Sequence, residues 1–78
     1  MSGQDLAARF GKLVASRRRA ARMTQEELAA KASVHRTYVG DIENGRKSPT
    51  LDTANRLARA LGETLSELML SCERVAES

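Results

Sequence analysis

Arg36, Thr37 and Tyr38 stand side by side directly after His35, with Gln25 upstream and Asn44, Arg46 and Lys47 shortly downstream. Arg36 can donate two hydrogen bonds to guanine O6 and N7, a contact that discriminates between bases by about 1–3 kcal/mol. Thr37 can bond a base edge or touch a thymine methyl. Tyr38 is open to a base or phosphate contact or to a half-buried packing role. Arg46 and Lys47 suit sequence-independent phosphate binding, unless they are merely a solvated loop. None of these residues forms a set that makes or breaks bonds. The chain has no triad, no carboxylate pair and no phosphate-cradling loop, so an enzyme finds no support and catalytic residues are expected to be none. A single histidine and a single cysteine, Cys72, leave no metal cluster, disulfide or cofactor site to expect. The chemistry that remains is recognition of a polyanion.

Positioning those side chains falls to the segment Thr24 to Pro49. Thr24 followed by Glu27 is a capping box, which opens a helix over Gln25 to Ala32 with Leu28, Ala29 and Ala32 turned inward. The pattern breaks at Ser33, and Val34 is a core plug in the turn. A further helix runs from about Arg36 to Asn44 with Val39 and Ile42 inward, and Gly45 supplies the left-handed residue that stops it. His35 falls at its cap position and reads as a cap or phosphate neighbour. Two short helices joined by a tight turn are the outline of a helix-turn-helix. The first lies across the phosphates while the second puts its first turn into the major groove. Gln25 would then sit where a helix N-terminus attracts a phosphate.

Three more helices complete an all-α, five-helix expectation, since no run alternates like a strand. Helix 1 spans roughly Asp5 to Ala21, with Leu6, Phe10, Leu13 and Val14 inward. Helix 4 covers Leu51 to Leu61, with Leu51, Ala54, Leu57, Ala58 and Leu61 on one face, and Gly62 closes it. Thr64 and Glu67 form a second capping box, which opens helix 5 through Leu65, Leu68, Met69 and Cys72. The run Leu68-Met69-Leu70 is apolar around more than one face. Either it folds back on the core or it pairs with another chain. Pairing is the stronger expectation, which makes Leu65, Leu68, Met69 and Leu70 a dimer interface.

With 78 residues the chain has room for a single domain, 1–78, and no substrate cleft of ordinary enzyme size. Its net charge is +3, unevenly spread. Residues 1–40 hold eight basic residues against three acids, and residues 41–78 hold five against seven. A pI near 9.6 with the excess in one half favours a polyanion partner over a merely solvated basic helix. One Phe, one Tyr and no Trp argue against a single-strand reader built on base stacking. No membrane span or signal pattern is visible, so a cytoplasmic protein with no membrane partner is expected.

The runs T-Q-E-E-L-A (24–29), V-H-R-T-Y-V (34–39), I-E-N-G (42–45) and S-P (48–49) resemble the lambda-repressor-like, XRE-type helix-turn-helix family. The resemblance covers roughly residues 8–70 and is greatest to the controller proteins of restriction–modification systems. It implies a homodimeric transcriptional regulator on a near-palindromic double-stranded operator. It further implies that Gln25 braces Arg36, that Asn44 contacts phosphate, and that Arg18 and Glu43 form an ion pair buttressing the recognition helix. Acids of helix 2, here Glu26 and Glu27, face RNA polymerase in related activators, which makes polymerase a candidate partner. Three departures stand out: Ser33 where the family has the turn glycine, Arg22 near another glycine position, and Arg17 at an apolar site. An antitoxin-type protein that binds a partner through helix 5 is the alternative, weakened by the short tail after Cys72.

Overall fold

Two capping boxes and a set of left-handed turns cut this chain into helices. The structure, a computed structural model, describes the backbone of residues 3–77 and the side chains of residues 6–74. In order the helices are α1 (Gly3–Ala20), α2 (Gln25–Ala32), α3 (Arg36–Glu43), α4 (Leu51–Ala60) and α5 (Leu65–Glu77), and no strand occurs among the described residues.

Their starts are set by side chains. Thr24 Oγ1 accepts from the Glu27 N–H at 3.0 Å while Glu27 Oε1 accepts from the Thr24 N–H at 2.8 Å. Thr64 and Glu67 repeat the arrangement ahead of α5, at 3.1 and 2.8 Å. Thr50 caps α4 by accepting from the Thr53 N–H at 3.1 Å. Each bond satisfies a backbone donor that the first helical turn leaves orphaned.

Their ends share one geometry. After α1 to α4 a residue of positive φ follows: Arg22 (58°), Ser33 (58°), Gly45 (73°) and Gly62 (80°). In each case the next N–H reaches back five residues, as from Met23 to the Arg18 carbonyl (3.0 Å) and from Arg46 to the Asp41 carbonyl (2.8 Å). This is the Schellman closure, for which glycine is the usual residue. Arg22 and Ser33 carry a β-carbon into it, at a cost of about 1–2 kcal/mol each.

α1 packs on α3 and α5, α2 on α3 and α4, and α4 on α5. Leu28, Val39, Ile42, Leu57 and Leu68 meet in the centre with no exposure. The closest approach is between α1 and α3. A β-carbon on Gly11 would overlap the carbonyl oxygen of Ile42, so only glycine permits this crossing.

Two inward assignments fail. Leu51 is 82% exposed and Leu6 is 37% exposed. Each lies in the first turns of its helix, at the rim of the core beside a shallow recess rather than within the core. Leu13 and Leu61 are half-buried against the core.

Candidate nucleic-acid interface

The reading turn begins at His35, whose extended backbone (φ −74°, ψ 141°) precedes α3 and whose Nδ1 accepts from the Thr37 N–H at 3.2 Å. An acceptor at Nδ1 fixes the ring as a cap. Beyond it Arg36 and Thr37 are exposed, while Val39 and Ile42 on the opposite face are fully buried. The first turn of α3 is thus presented outward by a helix rooted in the core. Arg36 Nε lies 3.6 Å from Glu26 Oε1 with both side chains more than half exposed. Such a contact holds little energy in water and releases readily. Tyr38 is half-buried against the core, and Lys47 Nζ lies 5.8 Å from its ring centroid and 3.9 Å from Asp41.

Behind the reader stands a polar clamp. Arg18 Nε donates to Glu43 Oε2 at 2.8 Å, and Arg18 Nη2 donates to Glu43 Oε1 at 3.0 Å. The third nitrogen, Nη1, donates to the Met23 carbonyl at 2.9 Å. Gln25 Nε2 donates to Glu43 Oε1 at 3.0 Å. One carboxylate therefore joins α1, the α1–α2 turn, α2 and α3. The bonds to Glu43 hold the Arg18 guanidinium pKa above its already high ordinary value. A two-bonded pair of this kind fixes geometry more surely than it adds stability.

Gln25 corrects an implied role. Its amide nitrogen is engaged by Glu43, and its side chain lies over Gly40, about 3.8 Å from where a β-carbon would stand. No bond joins it to Arg36, whose partner is Glu26 on the same helix. The turn of Gln25 toward α3 follows from the second lone pair that Glu43 offers there.

At the far end of α3, Asn44 is an exposed cap whose N–H bonds the Gly40 carbonyl at 3.0 Å. Arg46 and Lys47 follow on an exposed loop. Of the two acids that open α2, Glu27 is engaged by the cap. The Thr24 backbone N–H and hydroxyl hold its carboxyl below the usual carboxylate range. Glu26, exposed like Glu27, takes no part in the cap.

A family model described as helix-turn-helix matches residues 14–68, which contain the clamp, the reader and the turn between them. The chain belongs to this XRE-type helix-turn-helix family. The family comprises DNA-binding transcriptional regulators and is not an enzyme class. Control protein C.MunI of Mycoplasma sp is 38% identical over 71 residues, covering 90% of this chain and 96% of that protein. The crystal structure of the restriction–modification controller protein C.AhdI from Aeromonas hydrophila superposes with a TM-score of 0.76 at 34% identity. It covers 80% of this chain and 94% of that one. A hypothetical transcription factor, NHTF from Neisseria, gives 0.81 at 32% identity over 100% of this chain and 91% of its own.

Ser33, where the resemblance implied a turn glycine, and Arg22, near another such position, both keep the left-handed backbone. Arg17 reaches outward to polar partners. Its Nη2 donates to Ser71 Oγ at 3.0 Å, and its Nε lies 3.1 Å from Glu63 Oε2. On α5 the four apolar residues separate. Leu68 is fully buried in the chain's own core, so it has no surface to give a partner. Leu65 and Met69 are half-buried against that core, and Leu70 is 51% exposed. The close approach at Gly11 and the Met23 carbonyl in the clamp had no signature in the sequence. No group of metal-ligating residues occurs among the described residues, and no described helix is long and apolar enough to cross a membrane. The tail after Arg74 lies outside the residues whose side chains are described.

Proposed function

We propose that this chain is a controller-type regulator, a single domain over residues 1–78, that works as a cytoplasmic homodimer on a near-palindromic operator. The observation that carries the reading is the outward first turn of α3, with Arg36 and Thr37 exposed and Arg18, Glu43 and Gln25 locked behind it. Its similarity to C.MunI and C.AhdI supports the controller assignment. Arg36, Thr37 and Tyr38 read bases. Gln25, His35, Asn44, Arg46 and Lys47 meet phosphates, Gln25 through the second N–H of the amide that Glu43 engages and through the helix N-terminus it begins.

Dimerisation uses apolar surface that the chain leaves uncovered. Leu51 and Leu70 supply the exposed part, and the half-buried Leu65 and Met69 extend it. A shallow apolar recess of about 160 Å³ between α1, the α3–α4 loop and α5 includes Leu6, Leu51 and Met69. Glu26, the acid left free of the cap, is the side chain placed to meet RNA polymerase. A two-fold dimer would set its half-sites about one helical turn, roughly 34–36 Å, apart.

A mobility-shift titration on the DNA upstream of the gene, beside a random duplex, tests the reading. About 6–10 phosphate contacts per dimer imply a loss of affinity of roughly 10³–10⁵ between about 50 and 200 mM salt. The neutral contacts in the set place this protein at the shallow end. Equal affinity for the two DNAs, or no response to salt, would overturn it.

A further inference from the structure

We propose that Arg22, in the turn between α1 and α2, is a further phosphate-binding residue of this interface and occupies a strained backbone position for the sake of its charge. The proposal rests on the DNA-binding reading above. Three observations meet at this residue.

The first is its backbone. With φ at 58°, Arg22 closes α1 by the same pair of bonds that Gly45 and Gly62 close α3 and α4. Glycine would do so without strain, so nothing in the turn calls for a side chain.

The second is the side chain's isolation. The Arg22 side chain is exposed and makes no hydrogen bond or ion pair among the described residues. Arg17, Arg18, Arg36, Lys47 and Arg56 each have a carboxylate within 4 Å. Neither of the two acids nearest in sequence, Glu26 and Glu27, pairs with it: Glu27 is held by the α2 cap and Glu26 lies against Arg36. The Arg22 charge is therefore directed at nothing inside the molecule.

The third is its place. Met23, the next residue, gives its carbonyl to Arg18, which holds Glu43 at the end of the reading helix. Thr24 then caps α2, and Gln25 returns to Glu43. The clamp thus anchors the turn that carries Arg22, two residues before the α2 cap, and in the DNA-binding reading the duplex backbone passes that helix N-terminus when α3 enters the groove. An unpaired guanidinium at that edge adds one sequence-independent contact per subunit.

The turn at Ser33 supplies the control, since it has the same φ of 58° and no charge. Arg22→Gly, Arg22→Lys and Ser33→Gly would be made in the full chain, and melting and binding measured on the upstream DNA and on a random-sequence duplex. Arg22→Gly should melt roughly 3–6 °C higher. It should bind both DNAs roughly 5–10-fold more weakly per subunit at about 0.1 M salt, and lose about one unit of salt slope per subunit. Arg22→Lys should keep the slope. Ser33→Gly should gain melting temperature with affinity unchanged. If glycine perturbs the turn, Arg22→Asn, a neutral residue that tolerates the left-handed backbone, should lose the same slope. An unchanged slope in both neutral variants, with the unsubstituted protein still steeply salt-dependent, overturns the proposal alone. Absence of salt-dependent binding by the unsubstituted protein overturns the DNA reading, and the proposal falls with it.

Discussion

Arg18 of α1 and Glu43 of α3 share two hydrogen bonds, of 2.8 and 3.0 Å, with their side chains only 11% and 5% exposed. Removing one partner leaves the other charge half stranded. Arg18→Met should therefore cost about 2–4 kcal/mol, a large share of the stability of a domain this small. The double variant Arg18→Met with Glu43→Leu should cost less than the two single changes summed. Urea unfolding of the four proteins measures the coupling, and strict additivity would show that the pair is not a unit.

In the proposed function Arg36 reads a base, and Glu26 lies 3.6 Å from its Nε. Arg36→Ala should lose about 1–3 kcal/mol on the operator and much less on random DNA. Glu26→Gln removes that contact and a charge that repels phosphate, so it should tighten binding to both. Titration of each duplex separates the effects. Equal losses for Arg36→Ala on both DNAs would reassign that residue to phosphate.

Gly11 lies against the Ile42 carbonyl, which belongs to backbone and cannot swing aside as a flexible side chain does. Gly11→Ala should push α3 away from α1 at a cost of about 1–3 kcal/mol or beyond. Melting temperature and operator affinity should fall together. A normal melt would mean that the two helices do not approach so closely.

Acid should weaken the caps in a defined direction. The backbone N–H and hydroxyl of Thr24, and those of Thr64, hold the carboxyls of Glu27 and Glu67 below the usual carboxylate range. The folded pKa is thus lower than the unfolded one. The stability gained is complete above the unfolded value, near 4.3, and disappears as pH falls through the lower folded value. Glu27→Ala and Glu67→Ala should melt below the unsubstituted protein at pH 7, and the gap should narrow as the pH drops below about 4. A gap that stays constant into acid would mean that the carboxylates are not what the caps depend on.

Leu70 and Leu68 should behave differently although they are close neighbours on α5. Leu70→Glu with Leu51→Glu alters exposed positions and should give folded monomers by sedimentation, with weak and non-cooperative operator binding. Leu68→Ala empties a buried site and should cost about 2–5 kcal/mol without selectively separating subunits. A folded double variant that remains dimeric would place the subunit contact on another surface.

The limits of α2 and α3 were legible because caps and left-handed turns are local chemistry. Thr24 with Glu27 starts α2 at Gln25, and Gly45 stops the reading helix after Asn44, within a residue of the expected end. The exposed pair Arg36 and Thr37 was legible for the same reason, as it follows directly from where α3 begins.

Apart from the Arg18–Glu43 pair, which the family resemblance implied, contacts between helices were not legible, because periodicity names the apolar face of a helix but not what stands opposite it or how far the neighbour extends. Leu51 continues the apolar stripe of α4 yet lies at the rim of the core, whereas Leu68 sits where α5 crosses it. The side chain of Gln25 had a phosphate and Arg36 as its expected partners, and only the approach of α3 turned its amide to Glu43. Gly11 looked like one small residue in a helix until Ile42 arrived against it. Backbone caps are decided within a few residues of chain, so the sequence determined them by itself. Burial, close approach and charge pairing depend on distances between segments far apart in the chain, and those only the tertiary structure decided.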